Sequence, residues 1–131
     1  MESVKIFSEG GHEFVWLGSG DLEAEKGVAS NQYAIIDGGE ALLLDPGGYH
    51  SFDRVFANTT QLVEPKQIRG AFLSHQDPDV VASIVSWLEV QPNMKVYLSA
   101  LWERFLPHFA LPVVPDLVAL PDEGATVALP S

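Results

Sequence analysis

Between Leu73 and Ser83 the sequence LSHQDPDVVAS brings one imidazole and two carboxylates together within five residues, His75, Asp77 and Asp79. One nitrogen donor and two oxygen donors, with no thiol beside them, form a set suited to iron, manganese or zinc. The chain has no cysteine at all. Disulfides, zinc ribbons, thiolate-held iron–sulfur clusters and a Cys nucleophile are therefore excluded together, and any metal must use His and carboxylate. The same residues have another reading. Asp is a favoured N-cap, Pro is favoured at the first helical position, and an acid in the first turn complements the helix dipole. Asp77, Pro78 and Asp79 thus also make a helix start on their own, with His75 as a loop residue before it. Spacing alone does not choose between a metal-binding turn and a capped helix.

Either reading requires an ordered strand to deliver the turn. In the first half of the chain EFVWLG (13–18) and NQYAIID (31–37) read as strands. A third apolar run, in GGEALLLDPGG, lies between two Gly pairs, so Gly38–Gly39 is expected to be a hairpin turn. From Tyr49 the period changes: Phe52, Val55 and Phe56 recur at helical spacing up to a break before Pro65, and IRGAFLS (68–74) is again a buried strand. A strand–helix–strand crossover is almost always right-handed and makes its two strands parallel. The ends of the Leu42–Asp45 and Ala71–Ser74 strands then share one sheet edge, the edge at which open α/β sheets bind ligands. Val80, Val81, Ile84, Val85 and Leu88 form the stripe of an amphipathic helix, and MKVYL (94–98) is a strand. A further helix is expected to start at Ser99, with Leu101 and Phe105 on one face and Pro107 ending or kinking it. The remainder, ALPVVPDLVALPDEGATVALPS, alternates short β-like pieces with turns. The expectation is one domain over residues 1–131 of the α/β (α+β) class, a mixed sheet with helices on one face.

A length of 131 residues with 47% hydrophobic composition can supply a core. Eighteen acids against seven bases, a formal charge of −11, argue against a nucleic-acid surface or an anionic membrane, both of which need a positive field. The N-terminus has no basic region followed by an apolar one, and no run approaches the roughly 18 apolar residues of a span, so a cytoplasmic protein is expected. GSGDLEAEKG holds only Gly-x-Gly, so FMN or a dinucleotide would need another domain or protein.

LSHQDPDV following LLLDPGG resembles the first half of the metallo-β-lactamase fold, an αββα sandwich whose signature is a strand ending in Asp-x-Gly, a helix, and a strand ending in H-x-H-x-D-H. Asp45, Pro46 and Gly47 match the first element, and His75, Asp77 and Asp79 the first three positions of the second. Val80 stands where the family has its last His. A carboxylate at the second position resembles the di-iron branch, the flavodiiron proteins and their relatives. H-Q-D-P-D before an aliphatic residue, with YLSALWERFLPHF later, is most similar to the flavodoxin-free oxygen-binding di-iron proteins of bacterial oxygen sensing. The resemblance implies that His75 and Asp77 bind one iron and Asp79 the second, with Zn or Mn as alternative metals. It implies for Asp45 not ligation but the orienting of the metal-binding turn, against the alternative of a plain turn Asp before Pro-Gly.

The family's later ligands, a further His, a bridging carboxylate and a final His, lie beyond the resembled region, and Ser131 precedes them. The chain is accordingly expected to be a fragment, or a half-domain that cannot complete a two-metal site alone. Its sheet would leave an apolar face liable to pair with a second copy or with the missing half. Of the other histidines, His50 follows the Asp45 strand and is a possible additional ligand; His12 has no evident partner, and His108 reads as a surface or packing residue. Three functions follow. The first is a non-haem di-iron protein binding or reducing dioxygen or nitric oxide, and reporting it to a signalling partner, with Phe72 and Trp87 in a dry shell about the metals. The second is a metal-dependent hydrolase of esters, thioesters or phosphoesters, against which stand Asp77 and Val80, where the hydrolytic branch shows His. The third is a non-catalytic interaction module.

Overall fold

Two pairs of glycines start the sheet. Gly10 and Gly11 have φ of 57° and 85°, and Gly38 and Gly39 have φ of 58° and 81°. Positive φ at both central residues is what a two-residue hairpin of mirror-turn geometry requires. The first pair joins β1 (Val4–Glu9) to β2 (His12–Ser19), and the second joins β3 (Asn31–Asp37) to β4 (Glu40–Leu44). Three strands follow, β5 (Ile68–Leu73), β6 (Lys95–Ser99) and β7 (Asp116–Leu120), with the helices α1 (Phe52–Thr60) and α2 (Ile84–Val90) between β4 and β6. The computed structural model describes residues 3–19, 31–74, 81–100, 116–121 and 123–127.

The seven strands form one mixed sheet in chain order, β1 to β7. The pairs from β1 to β4 are antiparallel and those from β4 to β7 parallel. The α/β sequence expectation and the parallel β4–β5 pairing are thus what the chain adopts. Alternation along each strand sends Val15 and Leu17, Ala34 and Ile36, Ala41 and Leu43, Ala71 and Leu73, and Val96 and Leu98 into a single buried cluster. The same cluster takes Val55 of α1 and Ile84, Val85, Trp87 and Leu88 of α2, so both helices cover one face. Phe52 and Phe56 of α1 flank the fully buried Trp87, with ring centroids at 5.2 Å and 5.6 Å. The crossover helices are thereby locked to each other as well as to the sheet.

The opposite face is also apolar. Phe14, Tyr33, Ile35, Leu44, Phe72 and Tyr97 occupy its alternating positions and are half-buried or exposed. Phe14 and Tyr33 stack across β2 and β3 with centroids 5.2 Å apart. Phe72 and Trp87 therefore lie on opposite sides of the sheet and cannot line one shell, contrary to expectation; the strand's period of two separates Phe72 from its inward neighbours Ala71 and Leu73. On this face the Tyr97 ring fills the space beside Gly70. A Cβ at Gly70 would lie 2.8 Å from Tyr97 Cε2 and 3.0 Å from the Lys95 carbonyl oxygen. Gly70→Ala is expected to destabilise by about 1–3 kcal/mol through overpacking, read as a lower urea midpoint with an unchanged slope.

β1 is exposed along its whole length, an edge strand bent by an irregularity in register between Lys5 and Phe7. Lys5 Nζ lies 2.7 Å from Glu13 Oε2, and this hydrogen bond, with one from Ser8, holds the Glu13 carboxyl below its ordinary range. Ser99, expected to open a helix, is instead the last residue of β6, paired with Leu120. The rest of that expected helix, with Leu101, Phe105 and Pro107, lies outside the described residues. Among the described residues no helix is long and apolar enough to cross a membrane.

Candidate metal centre

The chain leaves β4 through Asp45-Pro46-Gly47-Gly48, and this loop reaches the ends of both neighbouring elements. Asp45 is the one described non-glycine residue with positive φ, 49°. That left-handed conformation is open to Asp because its short polar side chain can bond locally, whereas most residues pay for it in steric strain. Here the conformation carries three bonds to β5 and its exit. Asp45 N donates to the Phe72 carbonyl at 2.9 Å, Oδ1 accepts from Ser74 N at 2.7 Å, and Oδ2 accepts from Ser74 Oγ at 2.6 Å. Ser74 is the residue immediately before His75.

Gly47 reaches the far side. Its φ is 96°, and a Cβ there would stand 3.0 Å from Ser51 Cβ and 3.2 Å from Gln32 Nε2, so only glycine fits. Its carbonyl oxygen accepts from Ser83 N at 2.9 Å, and Ser83 is the N-cap of α2. The loop therefore grips both flanks of residues 75–80: Asp45 holds Ser74 on one side and Gly47 holds Ser83 on the other. His75, Asp77, Asp79 and Val80 themselves lie outside the described residues, as does His108.

The other candidates separate clearly. His50 is exposed in the short 3-10 turn Tyr49–Ser51 that follows the loop, on the same sheet edge as Asp45. His12 sits opposite Asp37 in the β2–β3 register and pairs with it, Nδ1 to Oδ1 at 2.5 Å. Because β3 and β4 are antiparallel, that pair is at the opposite end of the sheet from Asp45, so His12 has a partner and the partner is not the candidate centre. Among the described residues no group of three or more His, Cys, Asp or Glu that could hold a metal ion gathers anywhere.

Three residues near the loop escape a reading based on motif spacing. Ser74 is one; it supplies both donors to Asp45. Gln32 and Ser83 are the others, each fully buried. Alternation in NQYAIID could have found Gln32, since it shares the inward register of Ala34 and Ile36. The donor set is one that fits a hard or borderline cation, nitrogen and carboxylate oxygen only. The Ser83 hydroxyl adds a buried polar atom with no hydrogen-bond partner among the described residues, at one end of the same segment.

Residues 28–131 match a family model described as ODP family beta lactamase. Comparison with curated protein sequences found no match. Among solved structures, a peroxy diiron species of the chemotaxis sensor ODP is 35% identical, with a TM-score of 0.79 over 99% of this chain and 50% of that one. The apo state of the chemotaxis sensor ODP from T. denticola is 37% identical, with a TM-score of 0.75 over 98% of this chain and 49% of that one. A flavo di-iron protein from Thermotoga maritima shares the fold at 20% identity, with a TM-score of 0.71 over 90% of this chain and 31% of its own. The chain thus spans about half the length of the ODP structures it matches. With the family model covering most of its residues and that identity extending over nearly all of them, the chain belongs to the ODP family of beta-lactamase-fold proteins.

Proposed function

We propose that this chain is one half of a non-haem di-iron protein that binds dioxygen or nitric oxide and reports its presence to a signalling partner in the cytoplasm. The observation that carries the reading is the pair of hydrogen bonds from Ser74 to the Asp45 carboxylate, directly beside His75, in a chain 35% identical to a chemotaxis sensor with a diiron centre. In this reading His75 and Asp77 hold one iron and Asp79 the second. The pair of irons, when bound, supplies a redox-active centre open to a small diatomic gas. The chain's own part is to place the donors. Asp45 fixes the backbone N–H and the hydroxyl of Ser74, the residue next to His75 in the sequence. Asp77 adds negative charge where imidazole would add none, which favours a more highly charged metal. Val80 offers no donor, so the second metal takes fewer ligands from this chain. The remaining ligands, and the cover for the apolar face with Phe14, Tyr33, Ile35 and Phe72, come in this reading from further polypeptide or a second copy.

The test uses the full-length protein loaded anaerobically with ferrous iron. The expected outcome is two irons per site, a change in near-ultraviolet and visible absorption on exposure to oxygen, and loss of at least one iron in His75→Ala. Two bound irons with no absorption change would sink the oxygen-binding reading. Tightly bound zinc with turnover of an ester, thioester or phosphoester would place the protein among hydrolases, and absence of stoichiometric metal would leave an interaction module.

A further inference from the structure

We propose that Gln32, held by Arg54, is a positioning residue that acts through Gly47 on Ser83, and so on the far flank of the segment that carries His75, Asp77 and Asp79. The inference rests on the metal-centre reading above and assigns the side chains that hold the far flank of the turn.

Gln32 is 0% exposed on the inward face of β3, where its neighbours in register are Ala34 and Ile36. Burying an amide without hydrogen bonds costs about 1–3 kcal/mol, so an apolar residue of the same size would serve a purely packing role better. The amide is instead oriented: Arg54 Nη2, from the first turn of α1, donates to Gln32 Oε1. With Oε1 turned to Arg54, Nε2 and Cδ lie against Gly47, at 3.2 Å and 3.3 Å from where a Cβ would stand. The amide is the surface on which the Gly47 α-carbon rests. One atom further along, the Gly47 carbonyl receives the Ser83 N–H at 2.9 Å. A sideways displacement of Gly47 therefore moves Ser83 relative to Ser74, which Asp45 holds independently. Asp45 holds Ser74, before residues 75–80; the Arg54–Gln32–Gly47 stack holds Ser83, after them. Donors whose mutual distances must match a metal need both ends fixed.

The experiment compares full-length wild type with Gln32→Leu, Gln32→Glu and the double variant Gln32→Leu/Arg54→Met, which leaves no guanidinium without its glutamine. In metal-free protein, exchange of the Ser83 amide is expected to quicken about tenfold in both Leu variants while Leu43 and Ala71 amides keep their rates. Iron affinity by chelator competition is expected to fall roughly tenfold in the same two proteins. Gln32→Glu, which retains an acceptor for Arg54, is expected to restore both. Unchanged Ser83 exchange and affinity, parallel acceleration of Leu43 and Ala71, or failure of Glu to rescue would overturn the proposal. His75→Ala keeps the two readings apart. If it binds iron as wild type does, the metal-centre reading fails; if it loses iron while the Leu variants do not, only the role of Gln32 fails.

Discussion

Asp45→Ala is expected to lower stability by about 2–3 kcal/mol and to weaken metal binding roughly 10–100-fold. Two contributions add. The carboxylate accepts from both the backbone N–H and the hydroxyl of Ser74, and hydrogen bonds to a charged acceptor contribute about 1.5–3 kcal/mol each when shielded, less here because Ser74 is exposed. The backbone adds strain, since φ of 49° is tolerated by Asp but costs Ala about 1 kcal/mol or more. Asp45→Gly separates the two: it removes the hydrogen bonds and relieves the strain, and should be about 1 kcal/mol more stable than Ala. Asp45→Asn keeps an acceptor for the Ser74 N–H and tolerates the left-handed conformation, so it should fall within about 1 kcal/mol of wild type. Urea denaturation of metal-free protein measures the stability series, and chelator competition the metal series. Equal stability of Ala and wild type within the error of extrapolation would show that the loop does not depend on this carboxylate.

Trp87→Ala is expected to cost about 3–5 kcal/mol, a large share of the roughly 5–15 kcal/mol that holds a domain of this kind folded. Trp87 is 0% exposed and touches both α1 aromatics, so its removal opens a cavity where helix meets helix and sheet. The loss should appear as a much lower urea midpoint, and also as weaker metal binding, because α2 positions Ser83. Trp87→Phe should cost far less than Ala. It keeps a ring against Phe52 and Phe56, and it removes an indole N–H that is buried with no partner among the described residues, whose desolvation costs about 1–3 kcal/mol. A Phe variant as unstable as Ala would mean that the indole N–H is satisfied and stabilising.

The elements that carry strong local signals were legible in the sequence. Gly38–Gly39 between two apolar runs specifies its hairpin by backbone sterics, and Phe52, Val55 and Phe56 specify α1 by period. The crossover handedness then makes β4 and β5 parallel without any further information. β1 was not legible, because VKIFSE is exposed throughout and has no buried face to impose a pattern, although Gly10–Gly11 repeats the signal of Gly38–Gly39. Ser99 carries a local signal for a helix start because Ser is a good cap; pairing with β7, a tertiary contact, keeps it in the strand. At the candidate centre the order of His75, Asp77 and Asp79 and the Asp45-Pro46-Gly47 turn stand in the sequence itself. The bond from Asp45 to Ser74 does not, since it joins residues 29 apart. Gln32 is a similar case: a single polar residue in an inward position signals something, but only the fold shows that Arg54 and Gly47 stand on either side of its amide.

Each strand after the first lies beside the strand made just before it. During synthesis, therefore, each of these described strands from β2 to β7 finds its partner already outside the ribosome. The bonds from Asp45 to Ser74 and from Gly47 to Ser83 close loops of 29 and 36 residues, and the entropy of loop closure grows only slowly with length. The bonds that hold Ser74 and Ser83 are all within reach once α2 has emerged, so the frame on either side of residues 75–80 can be set during synthesis.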